Sequence, residues 1–214
     1  MKSSIVLLSL ALLATGLLAS SGDRAWSEDD ATVAPAGVWV FDVRVVRVDL
    51  ASPEVTESPV PWETSSPMVS MPWTDVLAHL KSRGTTTLLL DQRGTSVWNE
   101  PLSLVQTHDV QIRAFQSQDV SNERWGSSTL TFGCAANLAP LGGKHLQYDI
   151  EAKWLIDRVK PSERPIVSMT RWKGTTPPLA GKTLGLSYRE QVEVLGEARR
   201  GFEIHAFVTG RFVP

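Results

Sequence analysis

Beyond Val38 the apolar and polar residues of this chain mostly alternate with period two, the pattern of half-buried β-strands. In residues 38–50, "VWVFDVRVVRVDL", Trp39, Phe41, Val43 and Val45 are apolar against Asp42 and Arg44. The apolar set then moves to Val46, Val48 and Leu50. A one-residue change of phase at Val45–Val46 predicts a β-bulge there. The clearest strand is 146–154, "LQYDIEAKW", with Leu146, Tyr148, Ile150, Ala152 and Trp154 on one face and Gln147, Asp149, Glu151 and Lys153 on the other. A helix would put Asp149 and Lys153 on the stripe with Leu146, so the strand is the better reading.

The chain closes with a second alternating pair. Val192 and Val194 flank Glu193, and Phe202, Ile204, Ala206 and Val208 alternate with Glu203, His205 and Thr209. "GEARRG" joins them as a hairpin loop. A helix competes here, because Ser187 and Glu190 fit a capping box and Tyr188, Val192 and Leu195 are helically spaced. Alternation on both sides of the loop favours the hairpin.

Between these strands the pattern changes. Residues 51–72 carry five prolines (53, 59, 61, 67 and 72) and read as an irregular connection. Thr74 then stands as an N-cap, Trp73, Val76, Leu77 and Leu80 follow at helical spacing, and Gly84 ends the segment, which predicts one short helix. "TTTLLLD" reads as a strand, "DQRGTS" as a turn at Gly94, and 102–105 and 110–115 as two further strands. Residues 116–128 read as a polar loop, "TLTFGCA" as extended, and "PLGGK" as a turn built on Gly142-Gly143. The sequence contains no internal repeat. The fold class expected is mainly β, with twisted antiparallel sheets and one short α-helix.

Composition sets the compartment and the partners. The chain has 214 residues, 42% hydrophobic and 21% charged, enough for one sizeable core. A basic start at Lys2, an apolar run from Ile5 to Ala19 and the small residues Ala19 to Gly22 predict a secretory signal peptide over 1–21, the alternative being an uncleaved anchor helix. A polar, acidic leader over 22–37 and a single β domain over 38–214 follow. Losing Lys2 takes the formal charge from −2 to −3, which offers no electrostatic footprint for nucleic acid. Cys134 is the sole cysteine and reads as a small buried apolar residue.

Several features could carry chemistry. Gly181-Lys182-Thr183 resembles the end of a phosphate-binding loop, but Thr176 stands where that loop needs its first glycine. Pro177 and Pro178 also remove N–H donors, and "LGLSY" is a poor helix start. The four histidines (79, 108, 145 and 205) share no metal-ligand spacing; His79 is expected on the wet face of the helix and His205 on the polar face of the last strand. Asp149 and Glu151 share a strand face as a carboxylate pair, but their neighbours Gln147 and Lys153 mark it as solvated. Of eight tryptophans, Trp39 and Trp154 fall in the apolar phase and belong to the core; of the others, Trp62, Trp98 and Trp125 are expected to be exposed rings that a ligand could use. No catalytic, cofactor-binding or metal-binding residue is assigned.

Five segments taken in order resemble the C-terminal β-domain of the secretins. "VWVFDVRVVRVDL" (38–50) is similar to its opening strand, V-x-I-E-A-R-I-x-E-V, and "WTDVLAHLKSRGTTTLLL" (73–90) to the helix, glycine and strand that follow. "GSSTLTFGCAANLAPLGGKHLQYDIEAKW" (126–154) resembles the G-x-x-L-x-V-x-P-x-I and L-x-I strand pair. "AGKTLGL" (180–186) resembles the D-G-Q-T-V-x-I turn, and "FEIHAFVTGRFV" (202–213) resembles E-L-x-I-F-I-T-P-R-I-V. Gly210 stands where the family has proline, and the P-x-L-G-D-I-P-x-L-G-x-L-F lip element is absent, so the resemblance is to a reduced form. Secretins are outer-membrane β-barrel channels of type II and type III secretion and type IV pilus systems.

The resemblance implies a non-enzymatic structural or assembly component, exported to the periplasm or outer membrane. Self-association, contact with other secretion components and outer-membrane association would follow; nucleic acid and cofactors would not. The alternative is a secreted β-sandwich that binds a glycan or peptide through Trp62, Trp98 or Trp125. An enzyme is the third reading, with Asp149 and Glu151 its only foothold.

Overall fold

The computed structural model describes residues 37–52, 59–63, 67–117, 124–141, 145–156, 167–192 and 200–214, with 112–117 and 124–128 described by backbone alone. In chain order the elements are β1 (Val38–Leu50), β2 (Met68–Val69), α1 (Trp73–Arg83), β3 (Gly84–Ser96), β4 (Leu102–Ser117), β5 (Arg124–Leu141), β6 (His145–Leu155), β7 (Val167–Thr176), β8 (Thr183–Val192) and β9 (Arg200–Val213). They form a five-stranded sheet, order β2-β8-β9-β1-β3, and a four-stranded sheet, order β4-β5-β6-β7, both antiparallel. This is the mainly-β class expected, with one short helix. The signal peptide (1–21) and all of the leader but Gly37 lie outside the described residues.

Two apolar cores flank the five-stranded sheet. The larger joins it to the four-stranded sheet and takes Trp39, Phe41, Val43 and Val45 from β1, Ile150, Ala152 and Trp154 from β6, and Phe202, Ile204, Ala206 and Val208 from β9. The smaller lies under α1 and takes Val46 and Val48 from β1, Phe207 from β9, Val76 and Leu80 from α1, and Val60 and Trp62 from the preceding segment. The phase change at Val45–Val46 therefore marks a change of cover. The first half of β1 faces the other sheet, and the second half faces the helix. β1 pairs with β9 in unbroken register from Val38↔Val213 to Asp49↔Phe202. The bulge expected at this point is present, but on the partner strand: Val45 pairs with Leu90 and Val46 with Leu88, leaving Leu89 as the extra residue of β3.

Other expectations change. β3 runs through Gly94, where a turn was expected. A Cβ there would lie 2.8 Å from both Leu102 methyls, so the glycine serves close packing against β4. The turn falls instead at 97–101, with Asn99 at φ 60° and its N–H donating to the Pro140 carbonyl at 2.9 Å. Segments 102–105 and 110–115 merge into β4, and much of the polar loop 116–128 is strand, because β4 and β5 stay paired as far as Ser117↔Arg124. Residues 118–123 lie outside the described residues, as do Gly142 and Gly143 and, within 193–199, most of the "GEARRG" loop. The β8–β9 hairpin is found, from Thr183↔Thr209 to Val192↔Arg200, and the helix that competed with it over Ser187–Glu190 is not.

The helix starts two residues earlier than a Thr74 cap requires. Pro72 occupies the cap position with no side-chain bond, and its carbonyl accepts from the N–H groups of Asp75 and Val76 at 3.0 and 3.1 Å. Proline lacks the N–H that a helix start leaves unpaired, so it fits there. Gly84 does end the helix, but with extended backbone at φ 170°. A Cβ at Gly84 would lie 2.0 Å from the Asp49 carbonyl oxygen, so it is the approach of β1 that requires glycine.

Beyond Gly133, among the described residues, β4 and β5 pair only with each other. β5 pairs with β6 only from Gly133↔Lys153 to Leu141↔His145, whereas β4 and β5 continue through nine further pairs, from His108↔Phe132 to Ser117↔Arg124. At ~3.3 Å per residue this arm reaches roughly 30 Å. Gly133 sits at its base with φ 134°, and a Cβ there would lie 2.1 Å from the Gln106 carbonyl oxygen. Gly133→Ala is therefore expected to cost about 2 kcal/mol or more in urea unfolding, through backbone strain and this clash. Gly181→Asn, at φ 84° with nothing within 4 Å, is expected to cost about 1 kcal/mol or less.

Candidate functional site

The most concentrated chemistry lies on the helix-covered face of β8 and β9. Side chains of a strand alternate between faces, so Glu203 and His205 share the face of Phe207. Register places Ser187 opposite His205 and Arg189 opposite Glu203. α1 brings Arg83 down from its last turn, and residues 59–63 bring Trp62 and Glu63. Glu203 and His205 are 0% exposed.

A buried carboxylate needs donors, and Glu203 has them from three elements. Arg83 grips it in a fork, Nε to Oε2 at 2.8 Å and Nη2 to Oε1 at 2.6 Å. Arg189 Nε lies 3.0 Å from Oε1, and its Nη2 donates to Glu63 Oε2 at 2.5 Å. His205 Nε2 lies 3.2 Å from Glu203 Oε2, and His205 Nδ1 lies 2.9 Å from Ser187 Oγ. Trp62 Nε1 donates to Ser187 Oγ at 2.9 Å. With a carboxylate beside Nε2, the neutral imidazole carries its proton on Nε2 and accepts the Ser187 hydroxyl proton at Nδ1. Every polar atom on this line then has a partner. Trp62 packs edge-on against His205, His79 and Phe207 at 5.5, 5.8 and 5.2 Å, closing the network over.

The protonation states follow from this geometry. Burial pushes the Glu203 carboxyl up, but hydrogen bonds from His205 and Arg83 outweigh it and hold the group at about 2. Burial lowers His205 below its ordinary value despite the neighbouring carboxylate. Ser187, His205 and Glu203 form a hydroxyl–imidazole–carboxylate line, the order that activates a serine nucleophile. Here Trp62, itself 3% exposed, already donates to the serine oxygen, and His205 is sealed from solvent. The line ties β8, β9 and the 59–63 segment together, and its serine oxygen is engaged by both Trp62 and His205. A recess beside it, lined by Arg44, Trp73, Phe207, Thr183 and Thr209 among others, measures about 30 Å³, well short of the ~300–1,000 Å³ of small-molecule pockets.

The residues singled out from the sequence scatter. Gly181-Lys182-Thr183 is a turn that launches β8: Gly181 N–H donates to the Gly210 carbonyl at 2.8 Å and Lys182 N–H to that of Leu179 at 2.7 Å. Both donors are therefore taken, and a strand follows where a phosphate loop needs a helix. His205 is buried, not on a polar surface, and His79 is half-buried against Trp62, not on a wet face. His108 packs on Phe132 at 6.0 Å, and His145 is exposed. Among the described residues no group of three or more potential ligands could hold a metal. Asp149 is bound by Arg171 at 2.7 and 2.6 Å, which holds its carboxyl below the usual range, and Glu151 pairs in register with the same arginine. Cys134 is buried and its thiol is pushed up to about 12 by desolvation.

Two of the three tryptophans expected to be exposed are not. Trp62 is in the smaller core, and Trp98 is partly buried against Trp39 and Phe212 at 5.7 and 6.2 Å. The Trp125 side chain lies outside the described residues. Sequence reasoning missed the Glu203–His205 site, although one signal was available. Phe207 shares their phase while Ile204, Ala206 and Val208 hold the other, as in a strand buried on both faces.

No protein-family model and no curated protein sequence matches the chain. Among solved structures it is similar to the InvG secretin domain β-barrel of the Salmonella SPI-1 injectisome, at 12% identity and a TM-score of 0.33. That similarity covers 83% of this chain and 62% of that one, so the chain spans less than two-thirds of it. Type II secretin GspD of enteropathogenic Escherichia coli gives 12% identity and a TM-score of 0.39, covering 83% and 68%. The V. cholerae type IV competence pilus secretin PilQ gives 10% and 0.28, covering 82% and 57%. At these values no residue role is carried across. Among the described residues no helix is long and apolar enough to cross a membrane.

Removing one partner from a buried ion pair leaves the other uncompensated, so Arg83→Met is expected to cost about 3–5 kcal/mol in chemical denaturation. Arg83→Met combined with Glu203→Gln should recover part of that loss. Because the Glu203 pKa is depressed, its contribution is complete above the ordinary value of 4.5 and disappears as pH falls towards about 2. Acid unfolding of Glu203→Gln should lack this component.

Proposed function

We propose that the chain is a non-enzymatic, secretin-like structural or assembly component of an envelope secretion or pilus system, working through strand pairing and shape. One observation carries this reading. The five segments whose sequences resemble the secretin C-terminal domain each fall on a defined part of the fold, in the same order. Residues 38–50 form β1, 73–90 form α1 and the first half of β3, 126–154 run along β5 and β6, 180–186 make the turn into β8, and 202–213 lie in β9. The first and last of these segments pair with each other along their length.

The departure at Gly210 has a local reason. The Phe41 ring lies 2.8 Å from where a Cβ would be, so a larger residue at 210 would displace a core aromatic. The signal peptide over 1–21 would carry the chain across the inner membrane, to act in the periplasm or at the outer membrane. Self-association and contact with other secretion components are its expected interactions.

Expression of the full chain in a Gram-negative host, followed by fractionation and native mass measurement, tests this. A shortened chain in the envelope fraction, recovered as multimers or with secretion components, is the expected outcome. A strictly monomeric globule that never sediments with membranes or secretion components overturns the reading.

A further inference from the structure

The network on the helix-covered face is balanced in charge only while His205 is neutral. Around His205 stand Glu203 on its own strand, Ser187 and Arg189 on β8, Arg83 and His79 on α1, and Trp62 and Glu63 on the 59–63 segment. Among these described groups two guanidiniums face two carboxylates. Glu203 already meets Arg83 through both oxygens and Arg189 through one, so its charge is committed.

A proton added to His205 would place a further positive charge in a site shut off from water, where desolvation is costly. It would also turn Nδ1 from acceptor to donor. Ser187 Oγ would then have to accept from His205 as well as from Trp62, and its own hydroxyl proton would need a new partner. Both effects oppose the same contacts, those that bind α1 and the 59–63 segment to the sheet.

We propose that this network is an acid-sensitive latch, in which protonation of His205 frees α1 and the 59–63 segment from the five-stranded sheet while the core between the two sheets stays closed. The inference is independent of the secretion reading. It separates cleanly from the titration of Glu203. A histidine depressed by burial contributes fully above its unfolded value, about 6.5, and its contribution is lost as pH falls from there. The Glu203 contribution begins to go only below 4.5. A release between these two values belongs to the imidazole.

The test is amide hydrogen exchange of the full chain at pH about 7.5 and about 5, corrected for intrinsic rates, with peptides from β5 and β6 as the internal reference. Peptides covering 59–63 and 73–83 are expected to lose protection on acidification, by about tenfold per pH unit below about 6.5 until His205 itself titrates, while the reference holds. His205→Gln can still donate to Glu203 and accept from Ser187 but does not titrate, so it should abolish the pH response, and His79→Gln should keep it. If His205→Gln does not fold, the midpoint of His205 imidazole C2–H exchange in the unaltered protein must lie below about 6.5, and the loss of protection must begin near 6.5 and level off at that midpoint. Equal protection at both pH values overturns the proposal. So does a response that survives His205→Gln or vanishes in His79→Gln, and so does an imidazole midpoint at or above about 6.5.

Discussion

A carboxylate without water must be surrounded by donors, and in this protein that requirement falls on Glu203. Its partners come from a helix, a neighbouring strand and its own strand, and Glu63 anchors one of them from a further segment. Hydrophobic burial alone would let α1 slide or rotate over Val46, Val48 and Phe207, because apolar contact has little direction. A forked guanidinium–carboxylate pair has fixed geometry, so it sets where the last turn of α1 sits. From Arg83 the chain enters β3 directly through Gly84, and the placement of the helix thus governs the edge of the five-stranded sheet.

The central position of β9 follows from the same requirement. It is buried on both faces, with one face given to the inter-sheet core and the other to Glu203, His205 and Phe207. A strand so placed has to satisfy two different chemistries with alternate residues. β1 beside it solves a simpler version, changing at Val45–Val46 from a strand covered by the other sheet to one covered by the helix. One extra residue in β3, Leu89, absorbs the mismatch.

Legibility of the sequence tracked how well polarity reported burial. β6 was readable because Leu146, Ile150, Ala152 and Trp154 are both apolar and buried. β7 went unread because its buried phase is Ser168, Thr170 and Thr176, and hydropathy gives no alternation there. Gly94 was misread as a turn because a glycine that admits a neighbour's leucines looks the same in sequence as one that bends the chain. The site was missed for a related reason. Glu203 and His205 have the composition of a wet face, and what buries them, Arg83 and Trp62, lies more than a hundred residues away. The proline-flanked Gly181-Lys182-Thr183 was legible because its misfit to a phosphate loop is local.

The β4–β5 arm divides the molecule mechanically. Up to Gly133, β5 has a neighbour on each side; beyond it, among the described residues, the ribbon's ladder is a single row of rungs. Two-stranded ribbons are marginal on their own, so the arm draws its order from the sheet at its root. A push at its far end is therefore taken up by twisting along the ribbon and concentrates at the glycine where the rows of rungs drop from two to one. The sandwich acts as the rigid mount, and the arm as a compliant beam clamped at Gly133.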